Sequence, residues 1–375
     1  AGYLAAYPKG PHAEEAQAKI DEKKRKRKDD IIEELKNDIN ARTRAELHYN
    51  GITLSDLYEV IPDEQAREKV LDKDLFSADQ PNLDLGEDSA IVIPKGYTEV
   101  YFWGVPSSGK TCTMATILAA ADKMGAYKPG SGGADEYMDD LKDLFTQSKK
   151  ATILPVSTQI DKTQYLPLTL METRKGQNLA HKVSIIELSG EVFELFRDAS
   201  KDKHLEKQKT FKQILSYLND KDNPKYHFFV LDCDSTHQFQ SSYLQRAALY
   251  FEENNIFNEN TQGISIILTK ADRLIHSKDD ANNITRIATD YVKENLSSFT
   301  NQMISIVGPG GLQLNDGSIP VIPMSIGDVY FKDLCIVNTD YAKVIVNLLM
   351  EYSKVAESDD WKKKALKKAK KIFNQ

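Results

Sequence analysis

The sequence predicts an α/β fold: a mostly parallel sheet between two helical layers, one antiparallel hairpin at its edge, and a helical region ahead of it. Three observations predict this. From residue 89 onward, short β-branched and aromatic runs alternate with helical segments, the rhythm of a sheet covered on both faces. Two of the runs, residues 165–171 and 183–188, are separated only by the polar stretch ETRKGQNLA. That is too short for a helical crossover, so the two pair as an antiparallel hairpin. The third observation is a glycine-rich loop between a predicted strand, residues 99–103, and a predicted helix that begins near Cys112.

Composition sets the outer limits. The chain has 375 residues, enough for one large or two modest domains at about 150 residues each. Hydrophobic residues make up 41%, so a sizeable core is within reach, and the net charge is -7. A mildly acidic chain is a poor general nucleic-acid binder unless its basic residues are clustered, and no nucleic-acid partner is expected. Three cysteines, Cys112, Cys233 and Cys335, make no disulfide framework and point to a reducing compartment. No apolar run approaches the ~20 residues of a membrane helix, and a cytoplasmic location is expected. The seven histidines show no metal-ligand spacing.

In chain order, residues 1–50 read as a charged helical segment. Pro8-Lys9-Gly10 marks a turn between two helices, similar to the tail of a helical repeat in some multidomain bacterial proteins, which would imply sequence upstream. KKRKRK at residues 23–28 is flanked by acids, the mark of a solvated helix. Ile32, Leu35 and Ile39 follow at helical spacing. Residues 51–88 read as a helical linker, with Pro62 placed in a first helical turn. The main domain spans residues 89–355, with further strands at 90–93, 228–232, 264–268 and 321–324. Residues 356–375 read as a basic amphipathic helix, because residues 361–375 hold seven Lys and no acid. Its apolar stripe is expected to pack on its own domain, in preference to an anionic membrane surface.

Gly104-Val105-Pro106-Ser107-Ser108-Gly109-Lys110-Thr111 matches G-x-x-x-x-G-K-[ST] in full, between a strand and a helix. Glycines let the backbone wrap a phosphate, and the loop N–H groups, that of Cys112 included, then face the anion at a helix N-terminus. Lys110 can neutralise β- and γ-phosphates, and the Thr111 hydroxyl can ligate Mg²⁺. A P-loop three-layer sandwich follows as the expected architecture.

Thr269-Lys270-Ala271-Asp272 follows the predicted strand at 264–268. With the phosphate loop, this resembles the Ras-like GTPases, whose guanine-reading motif is [N/T]-K-x-D after a strand. Guanine presents two neighbouring donors, N1–H and the exocyclic amine, and one carboxylate accepts both. The resemblance covers about residues 97–355. It implies that Asp272 reads the base, that the stem of Lys270 covers it, and that Ser325, in the loop Ser325-Ile326-Gly327, contacts the base oxygen. It also implies that Glu187-Leu188-Ser189-Gly190 stands for the family's D-x-x-G. Glu187 would then serve the Mg²⁺ shell, Gly190 the γ-phosphate, and Glu191 the attacking water in place of the usual Gln. A switch Thr that meets Mg²⁺ is either Thr158 or Thr163. The stretch from about residue 125 to 161, with the loop KPGSGG and a predicted helix near 135–147, is an insertion close to the phosphates. No arginine finger is assigned.

The expected activity is Mg²⁺-dependent hydrolysis of GTP to GDP and phosphate, with GTP or GDP as ligand and protein partners at the switch loops and N-terminal helices. The alternatives are a GTP-binding scaffold with little hydrolysis, or a P-loop ATPase, whose metal-binding Asp would be one of the acids, Asp232 and Asp234, that end the apolar strand from Phe228.

Overall fold

The computed structural model describes residues 8–83, 93–130, 135–146, 151–156, 163–174, 176–188, 198, 209–233, 237–307 and 318–353. Contacts divide the chain into two compact units. The first comprises Ala1–Pro81, Ser148–Pro155 and Asp328–Val337; the second comprises Asn82–Gln147, Val156–Gly327 and Asn338–Gln375.

The first unit begins with the long helix α1 (Ala13–Asn37), followed by α2 (Arg44–Tyr49), α3 (Glu64–Val70) and α4 (Lys73–Ser77). Residues 21–30 of α1 are almost wholly exposed, as the mixed charge predicts. Its buried positions are Ile31 and Leu35; Ile32, expected on that face, is only half-buried. Helix α2 starts with a capping box, Thr43 with Glu46. Asp63 caps α3 by accepting from the Ala66 N–H. Pro62 therefore precedes the cap instead of lying in the first turn, because Asp63 is the better capping residue. Leu47, Ile52, Leu57, Ile61, Val70 and Phe76 join Ile31 and Leu35 in one core.

Two later excursions of the chain complete that core with Ala151, Ile153, Phe331 and Leu334. They supply β3 (Thr152–Ile153) and β10 (Leu334–Val337), which pair antiparallel, with β9 (Gly327–Tyr330) beyond β10. Arg44 fastens them: it donates to Asp333 at 3.0 Å and to the carbonyls of Leu75, Phe76 and Ala78 at 2.7, 3.1 and 2.8 Å. Both members of the ion pair are buried, and desolvation raises the Asp333 pKa despite its partner. Arg44→Ala leaves an unpaired buried carboxyl and three unmet carbonyls. We expect it to cost about 3–5 kcal/mol, read by urea denaturation with hydrogen exchange localising the loss to this unit.

The second unit is built on a seven-stranded sheet in the order β2-β4-β5-β1-β6-β7-β8. Its strands are β1 (Thr98–Trp103), β2 (Tyr127–Pro129), β4 (Thr163–Arg174), β5 (Gln177–Leu188), β6 (Lys225–Asp232), β7 (Thr261–Thr269) and β8 (Val321–Pro323). Strands β5, β1, β6, β7 and β8 run parallel to one another. The β4–β5 hairpin is antiparallel and in unbroken register from Thr163↔Leu188 to Arg174↔Gln177. It is not the edge. Strand β2, antiparallel to β4, lies outside it, so Lys128-Pro129, read from sequence as part of a loop, forms the edge strand. Proline is tolerated there because an edge strand leaves one row of N–H groups unused. The strand expected at 90–93 falls largely outside the described residues, and so does the basic C-terminal helix.

Helices cover both faces, so the sheet is the middle of three layers. One face of β1, β6 and β7 presents Tyr101, Trp103, Phe229, Leu231, Ile266 and Leu268 to α7 (Lys209–Asn219), α8 (His237–Glu253), α10 (Ile284–Asn295) and α11 (Ser297–Val307); the short α9 (Lys278–Asn282) precedes α10. Against the other face lie α5 (Lys110–Lys123), α6 (Asp135–Thr146) and α12 (Asp340–Ser353), with α5 packed on both α6 and α12. Every residue of β1 and β6 is buried, as expected of central parallel strands. Among the described residues no helix is long and apolar enough to cross a membrane.

Candidate functional site

The glycine-rich loop leaves β1 and enters α5 through two left-handed residues, Ser107 (φ 63°) and Gly109 (φ 89°). Glycine at 109 adopts that φ without steric cost. Gly104 is needed for a different reason: a Cβ there would lie 2.5 Å from the Val230 carbonyl and 2.7 Å from Ser108 Oγ. The resulting turn places successive amides at the start of α5, an arrangement suited to an anion. Lys110 is buried and donates to the carbonyls of Gly104 (2.8 Å) and Val105 (3.1 Å), folding back along its own loop. Ser108 Oγ is buried with no hydrogen-bond partner among the described residues. Desolvation and the nearby Glu187 charge push the Cys112 thiol up to about 12, so this side chain stays neutral and its N–H is what it can offer an anion.

Thr111 Oγ1 lies one step along, 3.1 Å from Glu187 Oε1 on the strand beside β1. The other oxygen, Oε2, accepts from the Tyr137 hydroxyl at 2.6 Å. Burial raises the Glu187 pKa, against the two hydrogen bonds and the charge of Lys110, which lower it. Burial, then the Glu187 charge, pushes the Tyr137 phenol well above its usual range, so it remains a donor. A hydroxyl and a carboxylate here form a hard-oxygen pair of the type Mg²⁺ uses when phosphates and water complete its shell. Among the described residues no cluster of three or more His, Cys, Asp or Glu could hold a metal alone; Mg²⁺ at a nucleotide does not require one.

The TKAD segment reaches the same place. Thr269, at the end of β7, donates between the carbonyls of Ser108 (2.8 Å) and Leu231 (3.0 Å). This ties together two motifs 161 residues apart. Lys270 is left-handed (φ 56°), and Ala271–Leu274 make a short 3₁₀ turn that leaves Asp272 exposed. The Ala271 N–H donates to the Met324 carbonyl at 3.1 Å, which sets the loop after β8 against the turn. Ser325 in that loop is buried, and its Oγ accepts from the Gly327 N–H at 3.2 Å. Burial, then the Asp272 charge, raises the Tyr341 phenol at the start of α12.

Lys270 adds a contact that sequence reasoning did not foresee: its Nζ pairs with Asp232 Oδ2 at 2.7 Å. Asp232 is thereby engaged at the TKAD turn, and the carboxylate beside Thr111 is Glu187. The geometry thus gives no support to Asp232 as the metal ligand of an ATPase; Asp234, the other acid after that strand, lies outside the described residues. Cys233 Sγ donates to the Lys270 carbonyl at 3.0 Å, and Tyr291 OH to the Cys233 carbonyl at 2.6 Å; the turn is braced from β6 and α10.

The structure therefore brings together Gly104, Ser107, Ser108, Gly109, Lys110, Thr111, Cys112, Glu187 and Thr269, and joins the turn holding Lys270 and Asp272 to the Ser325 loop. Thr163 opens β4 opposite Leu188, next to the Gln164↔Glu187 pair; only its backbone is described. Thr158, Gly190 and Glu191 lie outside the described residues. Tyr137 was not picked out from the sequence. The helical spacing of buried Tyr137, Met138, Leu141 and Phe145 was legible and marks an inward face, but not a role for one phenol.

No protein-family model matches this chain, and no curated protein matches it. Among solved structures, a chain described as nucleolar GTP-binding protein 1 from Plasmodium falciparum aligns over 75% of this chain and 97% of its own. The identity is 13% and the TM-score 0.29, a likeness too slight to argue from.

Proposed function

We propose that this chain is a Ras-like P-loop protein that binds GTP with Mg²⁺ and hydrolyses it to GDP and phosphate, acting as a nucleotide switch. The observation that carries the proposal is the hydrogen bond from Thr269 to the Ser108 carbonyl, 2.8 Å long. It sets a base-reading turn directly against a phosphate-gripping loop. Lys110 and the loop amides hold the phosphates, Asp272 accepts from the guanine edge, the Lys270 stem covers the ring, and Ser325 meets the base oxygen. Thr111, Glu187 and either Thr158 or Thr163 hold Mg²⁺, which when bound offsets charge on the phosphate oxygens. Glu191 orients a water toward the γ-phosphorus. As the new P–O bond forms, the bond to the β–γ bridging oxygen breaks, and that oxygen leaves with the electron pair as GDP. Gly190 contacts the γ-phosphate and is released with it. Protein partners at the switch loops and the N-terminal helices, and a cytoplasmic location, belong to the same proposal.

A GTP-binding scaffold with little turnover is the second reading. Glu at 187 and 191, where the resembled family has Asp and Gln, favours it. Mass spectrometry of nucleotide co-purifying with the protein, followed by phosphate release from GTP and Mg²⁺, tests both. GDP or GTP in the purified protein is expected. Bound ATP, or ATP outcompeting GTP, overturns the guanine assignment, and tight GTP binding without phosphate release selects the scaffold.

A further inference from the structure

We propose that Tyr137 is a positioning residue for the divalent cation: its phenol holds one oxygen of Glu187 so that the other faces Thr111 and the metal. This deepens the reading above and rests on it. The two carboxylate oxygens have separate partners, Tyr137 on Oε2 at 2.6 Å and Thr111 on Oε1 at 3.1 Å. A buried carboxylate with both oxygens met has one orientation. Glutamate has one more rotatable bond than aspartate, so placing it at a metal requires an anchor that the shorter residue could do without. Tyr137 is such an anchor, because it cannot easily move. It is itself buried, and Met138, Leu141 and Phe145 on the same helix are buried within 1% of complete.

Helix α6 packs on α5, the helix that carries Lys110 and Thr111. The phenol and the threonine hydroxyl thus come from two helices clamped together, and the carboxylate comes from β5. Farther along α6, the Lys142 ammonium lies over the Tyr127 ring on the edge strand, 5.2 Å from its centroid. The inserted stretch between α5 and β4 is therefore no ornament at this site: it contributes the group that aims Glu187. Partners of this kind behind a metal ligand typically matter by 10–100-fold in metal affinity.

The test uses the full chain in four forms: wild type, Tyr137→Phe, Glu187→Gln and the double variant. Retention of a fluorescently labelled GDP is measured in EDTA and across a titration of Mg²⁺ alone. Tyr137→Phe keeps the ring and removes the donor. The proposal expects it to need about tenfold more Mg²⁺ for the same retention, with affinity in EDTA unchanged. In the Glu187→Gln background, adding Tyr137→Phe should change nothing further, because both act through one carboxylate. A wild-type Mg²⁺ response in Tyr137→Phe overturns the proposal. So does an equal added loss in the Glu187→Gln background, or loss of affinity in EDTA, the mark of a packing residue. If wild type itself binds no labelled GDP or shows no response to Mg²⁺, the parent reading fails and takes this one with it.

Discussion

Lys110→Ala should abolish useful nucleotide affinity while leaving the protein folded. In the structure the Lys110 ammonium donates to two carbonyls of its own loop, groups it can give up to a phosphate. Hydrogen bonds to charged groups are each worth about 1.5–3 kcal/mol. With two phosphate oxygens gripped, the loss is about 3–6 kcal/mol, or a factor of about 10² to 10⁴ in Kd. Calorimetric titration with GDP and with GTP measures it. On the proposed reading Lys110 serves β- and γ-phosphates together, so GTP should lose more than GDP. The thermal midpoint without nucleotide reads any folding cost separately, since the variant also takes away the Lys110 charge that favours ionised Glu187. Unchanged GDP affinity would remove the phosphate loop from the mechanism.

Asp272→Asn should exchange base preference. The wild-type carboxylate offers two acceptor oxygens at the exposed end of the 3₁₀ turn, where guanine can present N1–H and its amine together. Asparagine replaces one acceptor with a donor, which faces the guanine amine unfavourably but suits the O2 of xanthine. With two charge-assisted bonds at stake, guanine affinity should fall by about 10² or more. Xanthosine diphosphate should bind the variant better than GDP does, as competition against a labelled nucleotide will measure. Phosphate contacts are untouched, so the Mg²⁺ dependence should be the same for the preferred base. Selectivity for guanine that survives the substitution would show that Asp272 does not meet the base, and the turn braced by Thr269 and Met324 would need another purpose.

How much of the site was legible depended on how local each feature is. The glycine-rich loop could be read because its backbone conformation is set within eight residues: a close approach at Gly104, a left-handed Gly109, then a helix. The TKAD turn was legible by its place after a strand, but its connection to the loop was not. That connection is one hydroxyl on one carbonyl, and no periodicity encodes it. Glu187 was reached through resemblance, and the structure sets it beside Thr111. The hairpin followed from a linker too short to cross over. The extra edge strand β2 was missed because three residues with a proline carry no alternation to read; pairing with β4 alone makes them a strand.

Assembly of the first unit was hidden for the same reason. Nothing in residues 151–155 or 328–337 announces that they finish a core begun at Ile31, or that Arg44 and Asp333 share a buried ion pair.

By itself the sequence determined the alternation of strands and helices, the tight glycine-rich turn between β1 and α5, and the place of the TKAD tetrapeptide after a strand, all consequences of short-range sterics and of hydrophobic period. Only the tertiary structure decided which carboxylate faces Thr111, that Lys270 leans on Asp232, that a phenol from the inserted helix steadies Glu187, and which segments build each core. These depend on side chains converging from separate elements at hydrogen-bond distance, and that convergence is set by packing of the whole sheet and its helices.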